Sequence, residues 1–355
     1  MREVSSLAAE LKDVLCWHQA RMLLLAQFML ALLKVRTINL TQVAQGFSGS
    51  ALPSSNYKRL QRFIKDFKID SEDCAKAIAK WFCPQGKWIL CLDRTNWKFG
   101  KVDINFLVLA VAYRGVAIPL YWPLLEKKGN SNTEERIALL NRFVNTFGIE
   151  KIDYFTADRE FRGGEWFRYL IQHNIPFCIR IPNNTKVCNN HKNIQLPVSR
   201  LFNLALQEEM VLRKPRKIWG VEVYLSCIIG SKGHVIIASS EKTKEAIRKY
   251  RVRWSIETLF GCLKTRGFNL EDTHITHPVR LQKIFFILAL VFCWSLKVGT
   301  QEHDIKPIKR KKHGRLSHSI FRVGLNILQK IVLNLGEYTS RNNQFNQVVK
   351  VLSCT

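Results

Sequence analysis

Three acids in this 355-residue chain stand where phosphoryl-transfer chemistry could be done. Asp93 closes the apolar run KWILCLD and Asp158 closes IDYFTAD. Each is expected at the carboxyl edge of a strand, where sites on α/β sheets gather. Glu257 lies inside YRVRWSIETLFGCLK, which reads as a helix from Tyr250 to Lys264. Taken singly, an acid after an apolar run is more often a turn or cap residue. Taken together, two strands and a helix can bring three carboxylates onto hard divalent cations, and Mg²⁺ wants oxygen ligands. Two such ions roughly 3.5–4 Å apart clamp the attacking and leaving oxygens of an in-line displacement at phosphorus.

The helix adds cations to the acid. At about 100° per residue, Tyr250 and Lys264, each seven positions from Glu257, fall about 20° from it, and Arg253 about 40°. Tyr250, Arg253, Glu257 and Lys264 thus form one stripe, with Trp254, Ile256, Leu259, Phe260 and Leu263 on other faces, available for packing. The stripe sets a carboxylate among groups that grip phosphates. Plain i,i+4 pairing of Arg253 with Glu257 on an exposed helix explains that pair and leaves Tyr250 and Lys264 without a role.

The chain that must position these residues carries 55 Lys and Arg against 28 Asp and Glu, a formal net charge of +27, and is 47% hydrophobic. That is enough apolar material for two or three domains, or for one large core with attached pieces. It is also enough charge to call for a polyanionic partner, nucleic acid before an anionic membrane. The most apolar runs, Met22–Leu33 and Ile284–Trp294, are about a dozen residues each, short of the roughly 20 that span a bilayer. Both are expected as buried core helices, with no membrane partner. The first residues, MREVSSLAAELKDVL, are amphipathic and acid-containing, unlike a signal peptide. Ten cysteines without a C-x-x-C pair suggest free, mostly buried thiols in a reduced cytosolic interior. Cys188 and His191 are near neighbours, with no second pair at zinc-like spacing.

Residues 1–84 are expected as a helical DNA-binding region. NLTQVAQGF, with Thr41 as N-cap, a Gly/Ser break and NYKRLQRFIKDF resemble a helix-turn-helix with a long turn. Its second helix would offer Asn56, Lys58, Arg59 and Arg62 to a groove; an ordinary solvated face reads the same. Residues 85–182 read as three strands with a tight turn at Arg114–Gly115, a capped helix from Asn132 to Gly148, then strand, helix and strand. That β-β-β-α-β-α-β order predicts a mixed sheet flanked by helices. Residues 183–240 read as an all-β insertion, and 241–300 as the last part of the core. Residues 301–355 form a basic helical end, in which Lys306–Arg315 (KPIKRKKHGR) is expected to touch DNA and His313 and His318 to be ordinary polar residues. Asp153 falls at the wrong edge of its strand for the site, and Glu160 is expected to pair locally.

Tyr, two residues, Arg, three residues, Glu, six residues, Lys resembles the signature of the IS-four family of insertion-sequence DDE transposases. Tyr250, Arg253, Glu257 and Lys264 match all four positions. LDRTNW resembles that family's first catalytic segment, with Asp93 and Thr95 in place, and ADREF resembles its second, with Asp158 followed by Arg159 and Glu160. The element order is similar to the RNase H-like core of these enzymes, and a β insertion ahead of the glutamate is a shared feature. The resemblance spans about residues 35 to 330.

It implies cut-and-paste DNA transposition: nicking at terminal inverted repeats, attack of the freed 3′-hydroxyl on the opposite strand, and strand transfer into target DNA. Asp93, Asp158 and Glu257 are implied as catalytic ligands of two Mg²⁺, replaceable by Mn²⁺, with Asp93 shared between them. Tyr250, Arg253 and Lys264 would hold terminal phosphates, assisted by Arg159. Trp219, in the insertion, is a candidate to stack on an extruded nucleotide, burial being its other reading. Double-stranded DNA, a homodimer on paired ends and a prokaryotic cytoplasm follow from the same resemblance. The alternatives are a transposase-derived repressor that binds without cutting and a structure-specific nuclease. An intact acidic triad argues against the repressor, because a pure binder gains nothing from acids facing phosphates.

Overall fold

Apolar runs between residues 88 and 239 build one mixed nine-stranded sheet in a computed structural model that describes residues 2–189, 194–231, 233–312, 314–335 and 339–353. His191 and His313 lie outside the described residues. The strands are β1 (Trp88–Phe99), β2 (Val102–Tyr113), β3 (Val116–Tyr121), β4 (Ile152–Ala157), β5 (Phe177–Ile181), β6 (Lys186–Asn189), β7 (Ile194–Pro197), β8 (Glu209–Val211), β9 (Arg216–Ile218), β10 (Val221–Gly230) and β11 (Gly233–Ser239). The helices are α1 (Arg2–Lys12), α2 (Gln19–Val35), α3 (Leu40–Gln45), α4 (Pro53–Asp66), α5 (Ser71–Phe82), α6 (Thr133–Phe147), α7 (Gly164–Gln172), α8 (Ala246–Arg251), α9 (Trp254–Leu263), α10 (Pro278–Ile305), α11 (Ile320–Leu333) and α12 (Thr339–Ser353).

The strand order is β3-β2-β1-β4-β5-β11-β10-β8, with β9 on β10. β1, β2 and β3 form an antiparallel meander, and β4 and β5 run parallel to β1. The expected β-β-β-α-β-α-β order is therefore present as a large mixed sheet flanked by helices. The β2–β3 turn places Arg114 at φ 46° and Gly115 at φ 82°, the doubly left-handed pair a two-residue hairpin needs. Asn132 and Glu135 cap α6 reciprocally. Period-two alternation separates the layers. Trp88 meets Phe143 and Phe147 of α6, and Phe155 meets Trp166 of α7. On the opposite face, Tyr154 donates to the Lys249 carbonyl of α8, and Cys91 reaches the Val252 carbonyl just after it.

Several local expectations change. Asn39, not Thr41, caps α3, its side chain accepting from the Thr41 amide. The span 183–240 is β-rich, but β11 pairs with β5 and carries β10 and β8 into the central sheet, leaving only β6–β7 as a separate ribbon. The Tyr250–Lys264 helix is two segments, α8 and α9, meeting at Val252–Arg253.

The run Ile284–Trp294 belongs to the 28-residue α10, which is long and apolar enough to cross a membrane; 89% of its most apolar stretch is buried inside the protein. α10 crosses α11 at Gly299 and Gly324, where an added Cβ at Gly324 would lie 1.8 Å from the Ser295 carbonyl. Lys283 of α10 is buried and donates to the Ile64 and Lys65 carbonyls at 2.9 and 3.3 Å, fastening the end of α4.

Candidate active site

Parallel pairing of β1 with β4 stops at Leu92 opposite Ala157. Asp93 and Asp158 are the next residues on the two neighbouring chains, so the sheet brings them to one edge. Asp93 does not end its strand, as the sequence suggested. β1 continues to Phe99 as an arm paired with β2 alone, because Thr95 and Trp97 stay buried and Trp97 packs on Phe106.

The odd positions of β1 face α8 and α9, and there Arg253 meets two of the acids. Its Nη1 lies 3.1 Å from Asp93 Oδ2, and its Nη2 lies 2.6 Å from Glu257 Oε1. The Tyr250 hydroxyl donates to Asp158 Oδ1 at 2.9 Å, and Arg180 Nη1 stands 3.7 Å from the same oxygen. Exposure falls toward the middle: the side chains of Glu257, Asp158, Asp93 and Arg253 are 49%, 29%, 17% and 6% exposed. Lys264 ends the stripe, its ammonium 2.8 Å from Glu271 and 3.3 Å from the Asn96 carbonyl on the β1 arm.

Burial pushes the Asp93 carboxyl up to about 6, against the pull of Arg253 and of the Arg94 amide and with the push of Glu160 and Asp158. Burial also works against the charge of Arg253, but Tyr250, Asp158, Glu257 and Asp93 together outweigh it and raise its pKa. The two directions are compatible. Arg253 is surrounded by acids, whereas Asp93 shares one guanidinium with Glu257. Burial, and then Asp158, raise the Tyr250 phenol, with Arg253 opposing.

The carboxylates do not form a ready cage. Among the described residues, no three His, Cys, Asp or Glu side chains are placed to hold one metal ion. A guanidinium lies between Asp93 and Glu257 instead. The donor set nevertheless fits a hard divalent cation. It is all carboxylate oxygen, burial drives Asp93 toward protonation even with Arg253 beside it, and Arg253 Nε is buried without a hydrogen-bond partner, so the guanidinium fills the space imperfectly.

A stability test follows. The folded protein holds the Asp93 proton more tightly than the unfolded chain does, at about 6 against 3.8. The favourable contribution is complete below about 3.8 and is lost as pH rises through about 6. Above that, ionised Asp93 costs on the order of 3 kcal/mol. Asp93→Asn therefore raises the melting temperature in chelator at neutral pH, and the gain shrinks toward pH 4. Equal melting curves across that range would remove the argument.

Glu160 pairs locally, as expected. It takes a two-pronged bond from Arg94 at 2.8 and 2.9 Å, and the other Arg94 donors go to Asn105, Gly129 and Asn130. All five Arg94 hydrogens are used, clamping the 129–130 loop and the ADREF turn to the residue after Asp93.

The remaining candidates separate. Arg159 is exposed and lines, with Arg180 and His234, a cavity of about 290 Å³ beside Asp158. On α4, Lys58 and Arg62 are exposed, but Asn56 is buried on the Ala44 and Ala51 carbonyls. Arg59 is spent on Asn56 and Gln27. Trp219 is half-buried and packs edge-on against Phe167, and no described contact brings it to the acids. Trp254, expected to pack, is 57% exposed on the first turn of α9, beside Arg253. Two residues were missed: Arg180, whose signal was a lone cation inside the apolar strand FCIRI, and Trp254, whose neighbours in sequence mark the site.

The family model described as the transposase DDE domain matches residues 84–294, more than half of the chain. Among curated proteins, none matches its sequence. A similar solved structure is the cryo-EM structure of the piggyBac transposase synaptic complex with hairpin DNA, at 9% identity and a TM-score of 0.45, covering 98% of this chain and 83% of that one. No conclusion is drawn from a likeness that distant.

Proposed function

The chain belongs to the transposase DDE-domain family, and from that premise we propose that it excises and reinserts an insertion sequence by cut and paste, in the manner of the IS-four family. Membership makes it a metal-dependent enzyme that cleaves DNA. The finer reading is carried by one observation: Tyr250 and Arg253 of the Tyr–Arg–Glu–Lys series engage Asp158, Asp93 and Glu257 directly.

Asp93, Asp158 and Glu257 would hold divalent ions, Mg²⁺ in this reading, which supply charge neutralisation at the reacting phosphate. The other steps belong to the chain. Arg253 offers a DNA phosphate the same planar fork that it gives to two carboxylates, and turning to the phosphate releases both acids. The Tyr250 hydroxyl, now on Asp158, and the Lys264 ammonium, now near the Asn96 carbonyl, would take further phosphates. Arg159 and Arg180 line the side nearest Asp158. Trp254 takes the stacking role suggested for Trp219, since its ring is exposed on the first turn of α9, three residues before Glu257, and an unstacked base needs an aromatic face. Two ends must be held at once, so the acting form is a homodimer on duplex DNA.

The test is cleavage of a plasmid carrying the coding sequence with its natural flanking DNA. The expected result is Mg²⁺- or Mn²⁺-dependent cutting at two fixed borders, followed by joining to a second DNA. Duplex binding without cutting would make the protein a repressor. Cutting of branched DNA with no border sequence would make it a nuclease.

A further inference from the structure

A second basic surface lies away from the carboxylates. The groove between α4 and the segment 273–280 has a volume of about 1050 Å³. Lys58, Arg62 and Lys65 project from α4 on one side, and His274, His277 and Arg280 stand on the other. The three α4 cations follow i, i+4, i+7 spacing and so share a helix face about 10 Å long. No Asp or Glu among the described residues lines the groove. Among the described residues, none of Lys58, Arg62, Lys65 and Arg280 is in an ion pair. Arg94, Arg142 and Arg253, by contrast, all face acids. Unpaired cations facing each other across a gap repel, and a polyanion laid between them relieves that cost.

Both walls are fixed to the catalytic core. The end of α4 is tied to α10 by Lys283. The His274 ring packs edge-on at 5.1 Å against Phe99, the last residue of β1. Phe99 lies six residues beyond Asp93 on that strand, about 20 Å at about 3.3 Å per residue. A duplex rises about 3.4 Å per base pair, so the span corresponds to about six base pairs.

We propose that this groove clamps the phosphate backbone of duplex DNA about half a helical turn inward from the strand that is cut, with Lys65 and Arg280 as contacts on opposite walls. The proposal rests on the transposase reading and deepens it, by stating where the uncut part of the same substrate lies. The groove recognises backbone charge, so it contributes affinity and register and no base sequence.

The experiment measures binding of a labelled duplex of about 30 base pairs in chelator, over a range of salt, for wild type and the double variant Lys65→Gln/Arg280→Gln. Each lost phosphate contact lowers the slope of log K against log salt by about 0.9, so the double variant should lose about 1.8 of slope. Lys65→Arg/Arg280→Lys keeps the charges and should restore it. An unchanged slope in a double variant that melts like wild type overturns the proposal, as does a loss seen only with single-stranded RNA. No metal or cutting is involved, so the two readings fail separately. A wild type that never cuts sinks the transposition reading, and an unaltered slope sinks only the groove.

Discussion

Asp93→Asn and Glu257→Gln should each abolish Mg²⁺-dependent strand cleavage, by roughly 10⁴-fold or more, the scale on which catalytic-centre groups are lost in other hydrolytic enzymes. Both replacements preserve size, exchange one acceptor oxygen for an NH2 donor, and remove the charge that a divalent ion needs. Asp93→Asn can keep only one of the two bonds that Asp93 accepts, from the Arg94 amide and from Arg253. Binding of duplex in chelator should hold or tighten slightly, since each variant takes an acid away from a surface that meets phosphates. Glu160→Gln is the control. Glu160 gives both oxygens to Arg94 and none to Arg253. Its loss should loosen the ADREF turn and cost on the order of tenfold in rate at most, with a lower melting temperature. Cleavage by Asp93→Asn at a rate near wild type would end the assignment of that residue.

Arg253→Ala should be among the most destabilising single changes in the protein, by about 3 kcal/mol, because it strips a buried cation from several acids at once. Asp93 is largely buried and cannot recover hydration, whereas Glu257 is half exposed and recovers part of its own. Arg253→Lys should rescue only part of the loss, since one ammonium cannot reach both carboxylates in the fork geometry. The double variant Arg253→Ala/Asp93→Asn should be more stable than Arg253→Ala alone, as coupled neighbours require. Millimolar Mg²⁺ should raise the melting temperature of Arg253→Ala more than that of wild type, because an ion and the guanidinium compete for the same oxygens. Thermal melts with and without chelator check every arm. A wild-type melting temperature for Arg253→Ala would mean that the guanidinium does not balance these acids.

Much of this arrangement was legible from spacing. Apolar runs ending in Asp93 and Asp158 are a local signal, and so is the spacing of Tyr250, Arg253 and Glu257, although the helix carrying them breaks at Val252–Arg253. What was not legible depends on pairing between distant segments. Nothing local to KWILCLDRTNWKF tells that β1 outruns β4 and continues along β2, so Asp93 read as a strand end. Nothing local to HVIIASS tells that it adds to β5 rather than closing its own barrel or sandwich. Trp254 read as a packing residue because aromatic residues on a helix usually are, yet its ring stands in solvent on the first turn of α9. Arg59 and Asn56 share a helix face with residues that do reach solvent, and tertiary contacts with Gln27 and the Ala44 carbonyl take them away.

The antiparallel join between Phe177–Ile181 and β11 settles what can be trimmed from this protein. Without the hairpin that covers it, β5 would present a bare row of amide and carbonyl groups, and such a margin recruits strands from other molecules. Deleting 183–240 should therefore produce self-associating, insoluble material and not a minimal enzyme, whereas lengthening the connection between β7 and β8 should be tolerated.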